Sequence, residues 1–387
     1  MKFKVVLCFC IVLLISFFSI MDVCAISDES YNPDSDVLSE MSDTLDLDSL
    51  YNELPEEAKL SLINMGITQI GPSTLDGVTF ASLINELLNS VKKESASVFS
   101  AFTTFVAVIL IYALFEGFAH SITGDTLREV LSVVCALCFA CALIIPVTDI
   151  IDSAVQTINH ATDFMLAFVP VMVAVLISCG KTLSSSGYYA LMVGAAQGIS
   201  QLSDKLITPM LNVFLGVNLC STIIPQVNLS GLSALFSKTI KWLLSFSFTI
   251  FSALLTFKTL ISTSIDTVST RAVRYTVSSF IPVVGTALAE AYKTVQGSVN
   301  ILKNGMGIFV IFAVGAVFLP VIVRLFLWSL SISLSRTVAQ IINLRLPVEM
   351  MQGVSTVLSV LMAVVICIMA LYIISTALII TAGGNGV

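Results

Sequence analysis

The arrangement closest to a metal-binding motif is Cys135-Ala-Leu-Cys138-Phe-Ala-Cys141, three thiols at three-residue steps. A cluster also needs a fourth ligand and polar groups that orient the ligands. Neither lies nearby, and the run sits mid-way in an apolar segment, where three thiols on one helix face read as small packing residues. His120 and His160 stand alone, without a companion at ligand spacing. No glycine-rich phosphate loop, Ser/His/Asp set or H-E-x-x-H is written in the chain. The sequence therefore predicts no catalytic residues, no metal and no cofactor.

Two charges touch apolar runs. Glu116 closes one of them and reads as an interfacial residue. Arg324 is the single charge between residues 305 and 334. Burying an arginine at mid-bilayer costs at least ~2.5 kcal/mol, so it must snorkel or face a partner or a wet cavity. Gly305, Gly307 and Gly315 share its segment and would allow close helix approach. The remaining concentration of charge is residues 271–304, RAVRYTVSSFIPVVGTALAEAYKTVQGSVNILKN. It carries Arg271, Arg274, Lys293 and Lys303 with one acid, Glu290, around Pro282 and Gly285.

The elements that hold these residues are helices in a membrane. Of 387 residues, 57% are hydrophobic and 11% charged, and the mean hydropathy is +0.99. Such a chain is no soluble globule. Long apolar runs without strand-like alternation predict an all-α, polytopic membrane protein of about seven spans. The runs are 98–116, 129–148, 164–179, 205–225, 240–257, 305–328 and 354–380, with a shorter piece at 187–200. A net charge of −7 without a basic run excludes nucleic acid as partner and leaves membrane lipids.

Residues 1–25 read as a signal peptide: Lys2 and Lys4, an apolar run, then Val23-Cys24-Ala25. An uncleaved first span is the alternative. Residues 26–97 form an acidic segment, with 14 Asp or Glu against three Lys between 26 and 96, and are expected outside the cytoplasm. Up to about Ser49 the composition predicts disorder. From Leu54-Pro55-Glu56-Glu57 onward it predicts short helices, with Leu60, Ile63, Leu83, Ile84, Leu87 and Leu88 as apolar positions. Residues 98–387 form the membrane domain.

Between the runs lie two amphipathic patterns. Ile261, Ile265, Val268, Ala272 and Tyr275 recur at steps of 4, 3, 4 and 3, as do Leu288, Tyr292, Val295, Val299 and Leu302. Pro282 separates them. Five basic residues in 258–304, against Asp266 and Glu290, place this stretch in the cytoplasm by the positive-inside rule. Five crossings before it satisfy that placement, and a re-entrant 164–200 would reverse it. A candidate duplication also appears. Residues 126–132, 151–153, 168–172, 181–182 and 209 resemble 239–245, 265–267, 280–284, 293–294 and 320, at offsets of 113, 114, 112, 112 and 111. It gives candidate repeats 117–228 and 229–342 with period about 113, followed by a final span at 354–380. It pairs Pro170 with Pro282 as interrupted elements, the pattern of transport sites in repeat-built carriers.

The run Arg271-Ala-Val-Arg274-Tyr, Phe280-Ile-Pro282-Val-Val-Gly285, Leu288, Thr294-Val-Gln-Gly297-Ser and Leu302-Lys303-Asn304-Gly-Met-Gly307 resembles the signature of the stage III sporulation protein AE family. The layout ahead of it, a leader and an acidic segment with a Leu-Pro-Glu-Glu helix start, is similar too. Thr286, Glu290, Tyr292 and Lys293 depart from the family pattern. The resemblance implies a multi-pass, non-enzymatic subunit of a channel encoded with seven sibling genes in endospore-forming Firmicutes. Its place would be the mother-cell membrane around the engulfed forespore. Its partners would be sibling stage III sporulation membrane proteins and, indirectly, a forespore protein across the intermembrane space, which the acidic segment would face. Such a complex supports late forespore gene expression and keeps the forespore from collapsing. A stand-alone secondary transporter of small solutes is the competing reading, and a poreless membrane scaffold the third.

Overall fold

The computed structural model describes residues 47–67, 70, 78–121, 125–223, 230–280 and 285–381. The expected signal peptide, residues 26–46 of the stretch expected to be disordered up to about Ser49, and the Pro282 break lie outside the described residues; the end of that stretch, from Leu47, is helical. Within them every regular element is a helix. Two short helices, α1 (Leu47–Asn52) and α2 (Glu56–Asn64), precede long ones: α3 (Phe80–Ser121) and α4 (Asp125–Ser178). Next, α5 (Thr182–Leu202) passes through a π turn (Ser203–Ile207) into α6 (Thr208–Ile223), followed by α7 (Ser230–Phe280), α8 (Gly285–Ile341) and α9 (Arg345–Thr381).

Among the described residues, six helical stretches are long and apolar enough to cross a membrane: Phe80–Phe118, Val130–Ser178, Thr182–Ile223, Gly231–Ser269, Thr294–Ile341 and Arg345–Thr381. The chain is thus an all-α polytopic protein, with six candidate spans where seven were expected. The difference arises at 129–148 and 164–179, which are parts of one 54-residue helix, α4. Their connection is amphipathic. Ile150, Ile151, Ala154, Ile158 and Ala161 are buried, while Asp149, Asp152, Gln156, His160 and Asp163 face outward at steps of 3, 4, 4 and 3. Pro146 and Pro170 lie inside this helix. The equivalence of Pro170 with Pro282 as paired breaks is therefore not carried: Pro170 costs one ladder bond but does not end its helix.

The ambiguous 187–200 piece belongs to α5, which continues into α6 as one spanning unit. The widened π turn directly precedes Pro209, whose missing N–H frees a carbonyl one turn back, and Thr208 Oγ1 donates to Ser203 O at 2.8 Å within it.

The expected boundary at residue 97 is not a break either. Leu83, Ile84, Leu87 and Leu88 belong to the first turns of α3, which runs unbroken into the span. Helix α2 does start at Glu56 behind Pro55. It closes on Gly66 (φ 90°), with Ile67 N–H donating to Leu62 O at 2.9 Å and Gly66 N–H to Ile63 O at 3.0 Å, the paired bonds of a Schellman end. Ser61 and Asn64 donate to the Glu86 carboxylate at 2.6 and 2.8 Å, and Tyr51 meets Phe309, which fastens α1 and α2 to α3 and α8.

Helices α8 and α9 form the centre: 72% of the most apolar window of each is buried, against 6% for α7 at the periphery. They join through a second Schellman turn, in which Asn343 (φ 63°) takes the left-handed position. Four candidate spans precede the start of α8, an even count if each crosses once. The sequence pattern alone counts five there, because it takes 129–148 and 164–179 as separate crossings.

Candidate junction of helix ends

The site is built from the α4–α5 turn upward. Helix α4 ends on Gly180 (φ 76°), with Lys181 N–H bonded to Leu176 O at 2.9 Å and Gly180 N–H to Ile177 O at 2.8 Å. Helix α5 then begins behind Lys181, which supplies no side-chain cap. Its orphan amides are satisfied from another helix. Leu183 N–H and Ser184 N–H donate to the two carboxylate oxygens of Asp266 on α7, at 3.2 and 2.8 Å. An acceptor at these two amides is what an N-cap aspartate normally provides, and here it comes from 82 residues along the chain. On the other side of the turn, Gln296 Nε2 on α8 donates to the Cys179 carbonyl at 2.6 Å.

A third tie closes α9. Lys303 Nζ donates to Ile380 O at 3.0 Å, in the last turn of α9, with the lysine fully buried. A cation at a helix C-terminus is favoured by the helix dipole. Gly307, one turn on, is equally specific: a Cβ there would overlap Ile380 Cγ1 and Cδ1, so its absence lets the end of α9 seat on α8. In the turn itself, burial pushes the Lys181 amine below its usual range, with Cys179 and Asp266 pulling it back up. Burial pushes the Cys179 thiol up, against Lys303 and Lys181.

Arg324 makes a separate junction about two thirds of the way along α8. Its Nε and Nη2 donate to the two Glu94 oxygens on α3 at 2.8 and 2.9 Å, and its Nη1 donates to Ser153 Oγ on α4 at 2.9 Å. Of the options open to Arg324, the structure realises the partner, through the fork geometry that suits guanidinium and carboxylate.

The structure brings together Lys303 and Gly307, and gives Arg324 its partner. Asn304 is half-buried beside Lys303, and its Oδ1 finds no partner among the described residues. Gly297 is half-buried on α8, while Arg271 and Pro170 are exposed. Arg274, Phe280 and Gly285 lie in helical backbone, but their side chains fall outside the described residues, as does Pro282 entirely. Cys135 is half-buried and Cys138 and Cys141 are exposed along α4. Asp266, Gln296 and Glu94 were not predicted. Asp266 had signalled itself only as an acid among five basic residues, and nothing local to Glu94 points 230 residues ahead.

Of the second amphipathic pattern, Val299 and Leu302 are buried on α8 and Val295 is exposed, while the side chains of Leu288 and Tyr292 fall outside the described residues. The first is reversed: Ile261, Ile265, Val268 and Tyr275 face outward, while Ser262 and Asp266 are buried. An apolar stripe marks the core face only where water is the solvent; beside lipid or a partner it marks the outside.

The family model described as stage III sporulation protein AE matches residues 73–383. A curated relative, stage III sporulation protein AE of Bacillus subtilis (strain 168), is 23% identical over 257 residues, 66% of this chain and 62% of that protein. The chain thus matches less than two thirds of that relative's length. No solved structure matches. The matched region takes in all six candidate spans and both junctions, and the chain belongs to the stage III sporulation protein AE family.

Proposed function

We propose that the chain is a non-enzymatic membrane subunit of a channel complex joining mother cell and forespore in endospore formation. It would sit in the mother-cell membrane among sibling stage III sporulation membrane proteins. Family membership supports the sporulation role, and the six apolar helices support the membrane location. The observation that carries a structural subunit is how its inward polar groups are used. Asp266, Gln296 and Lys303 each hold the end of another helix, and Arg324 holds α3 and α4. These groups set the bundle's form. The test is deletion of the gene with affinity purification of the tagged chain from sporulating cells. Arrest after engulfment, with the sibling membrane proteins co-purifying, is expected; normal spores or a chain purified alone would contradict the proposal.

One observation favours a stand-alone transporter. Lys303 is a fully buried ionisable group within a candidate span, the kind of residue that marks ion or solute paths. Gradient-driven solute uptake by the purified chain in liposomes, lost in Lys303→Met, would establish that reading. The continuous path of α4 through Pro170 removes its other support, the pair of matching breaks.

A further inference from the structure

The outer surface of the bundle changes character at one height, which Arg324 marks. Its bonds set Glu94 of α3 and Ser153 of α4 level with it. From Ser153 to Asn159 is about 9 Å along α4 toward the α4–α5 turn, and there Asn159 donates to Asp204 in the π turn at 2.9 Å. From Asp204 to Asn218 is about 21 Å in the opposite direction, and there Asn218 accepts from Ser233 of α7 at 2.8 Å. About 12 Å on from Ser233, α7 has returned to the height of Arg324 at Lys241. Charge gathers at this height. Lys92 on α3, Asp152 on α4, Asp204 and Lys205 in the π turn and Lys241 on α7 lie within about 10 Å of it, and all are exposed. Trp242 stacks on Phe246 beside them, in the manner of an interfacial tryptophan.

On one side of this girdle the ends of α3, α6 and α8 come together, with Tyr112 against Phe139, Phe105 against Trp328 and Asn218 beside Gly353. The surface there is apolar. Residues 95–115 of α3 and 130–148 of α4 carry no charge. These runs of 21 and 19 residues rise about 32 and 28 Å, and each borders the girdle at one end. Both match a bilayer core of about 30 Å. Phe99, Leu114, Leu137 and Ile145 point outward from them, and Leu334 continues the apolar belt on α8.

On the other side the helices go on, but their outward residues turn polar. Helix α4 rises about 38 Å more from Ser153 to Ser178 and presents Gln156, His160 and Asp163. Helix α2 exposes Glu56 and Glu57, and α5 exposes Gln197 and Gln201. The apolar residues of α8 at this level, Val310, Val314 and Phe318 among them, are buried by the other helices and need no lipid. Exposed apolar residues persist on α7, as at Phe257, and on the first turns of α3, as at Leu87. Lipid drawn over them would also cover the charges of α2 and α4, which hydrocarbon excludes. We infer that the bilayer core encloses only the half of the bundle from the girdle to the ends of α3, α6 and α8. The half with the α4–α5 turn stands outside it as a helical domain. Lys303, about 32 Å from Arg324 along α8, then lies in a protein core beyond the lipid rather than at mid-bilayer. The inference concerns lipid contact alone and does not rest on the channel-subunit reading.

The test places a fluorescent amino acid, by codon suppression, at Leu114, Leu137, Asp163 or Phe257, one at a time in the full chain. All four positions are exposed, so the core is spared. Each protein is reconstituted in phosphatidylcholine vesicles. Quenching is read with a nitroxide carried half-way along the acyl chains and, separately, with iodide in the water on both sides. Leu114 and Leu137 should lose most of their fluorescence to the lipid quencher and little to iodide. Asp163 should lose most to iodide, and neither Asp163 nor Phe257 should respond to the lipid quencher. Lipid quenching at Phe257 with iodide quenching at Asp163 would overturn the inference, because the bilayer would then surround the second half and the polar face of α4 would line a wet path through it. Lipid quenching at Asp163, or iodide quenching at Leu114 and Leu137, would overturn it as well.

Discussion

Arg324 on α8 and Glu94 on α3 are joined by two parallel hydrogen bonds, at 2.8 and 2.9 Å, across 230 residues of chain. Glu94 is 8% exposed and Arg324 38%. Removing one partner strands the other in a poorly hydrated place. Arg324→Gln or Glu94→Gln should each cost about 2 kcal/mol, below the cost of breaking a fully buried pair because Arg324 keeps some solvent contact. The double variant should lose much less than the sum. Thermal unfolding of the four proteins in one detergent checks this, and additive losses would show that the pair is not coupled.

The seat of α9 on α8 gives a second prediction. Gly307→Ala pushes a methyl group into the side chain of Ile380 and should cost about 1–3 kcal/mol. In an Ile380→Ala background the same change should cost less than half as much, because the collision is gone. Lys303→Met keeps the buried stem but loses the bond to the Ile380 carbonyl, at a cost of about 1 kcal/mol. Limited proteolysis should then cut after α9 sooner than in the parent.

A pH dependence follows from Lys181. Its amine lies below its usual range in the folded chain because of burial. Between that lowered value and the ordinary lysine value, the unfolded chain binds more protons than the folded one. Stability from this group therefore rises with pH across that window, and the penalty is greatest below it. Lys181→Met should be more stable than the parent at neutral pH, and the two should converge as pH approaches the ordinary lysine value. Unfolding midpoints in a pH series measure this directly.

Much of the architecture was readable from local pattern. The apolar runs located the membrane helices, and Leu54-Pro55-Glu56-Glu57 marked the start of α2 within a residue or two. Arg324 and Gly307 stood out because charge and glycine are conspicuous in apolar segments, and Lys303 because it closes the basic stretch and the family-like run. The rest depends on distant contacts. Asp149 to Asp163 looked like a connection between spans, because the Ile and Ala positions that bury it matter only once α4 has neighbours. Likewise Asp266 has no local reason to face inward: its partners are backbone amides at Leu183 and Ser184, which no side-chain pattern advertises.

The central claim is that Asp266, reaching across from α7, holds the start of α5 and so ties the α4–α5 turn to α7. Hydrogen exchange at the amides of Leu183 and Ser184, in the full chain reconstituted in lipid, tests it most directly. In Asp266→Ala these two amides should exchange markedly faster, while the α8–α9 turn at Ile342–Leu344 keeps its protection. Unchanged exchange at Leu183 and Ser184 would contradict the account.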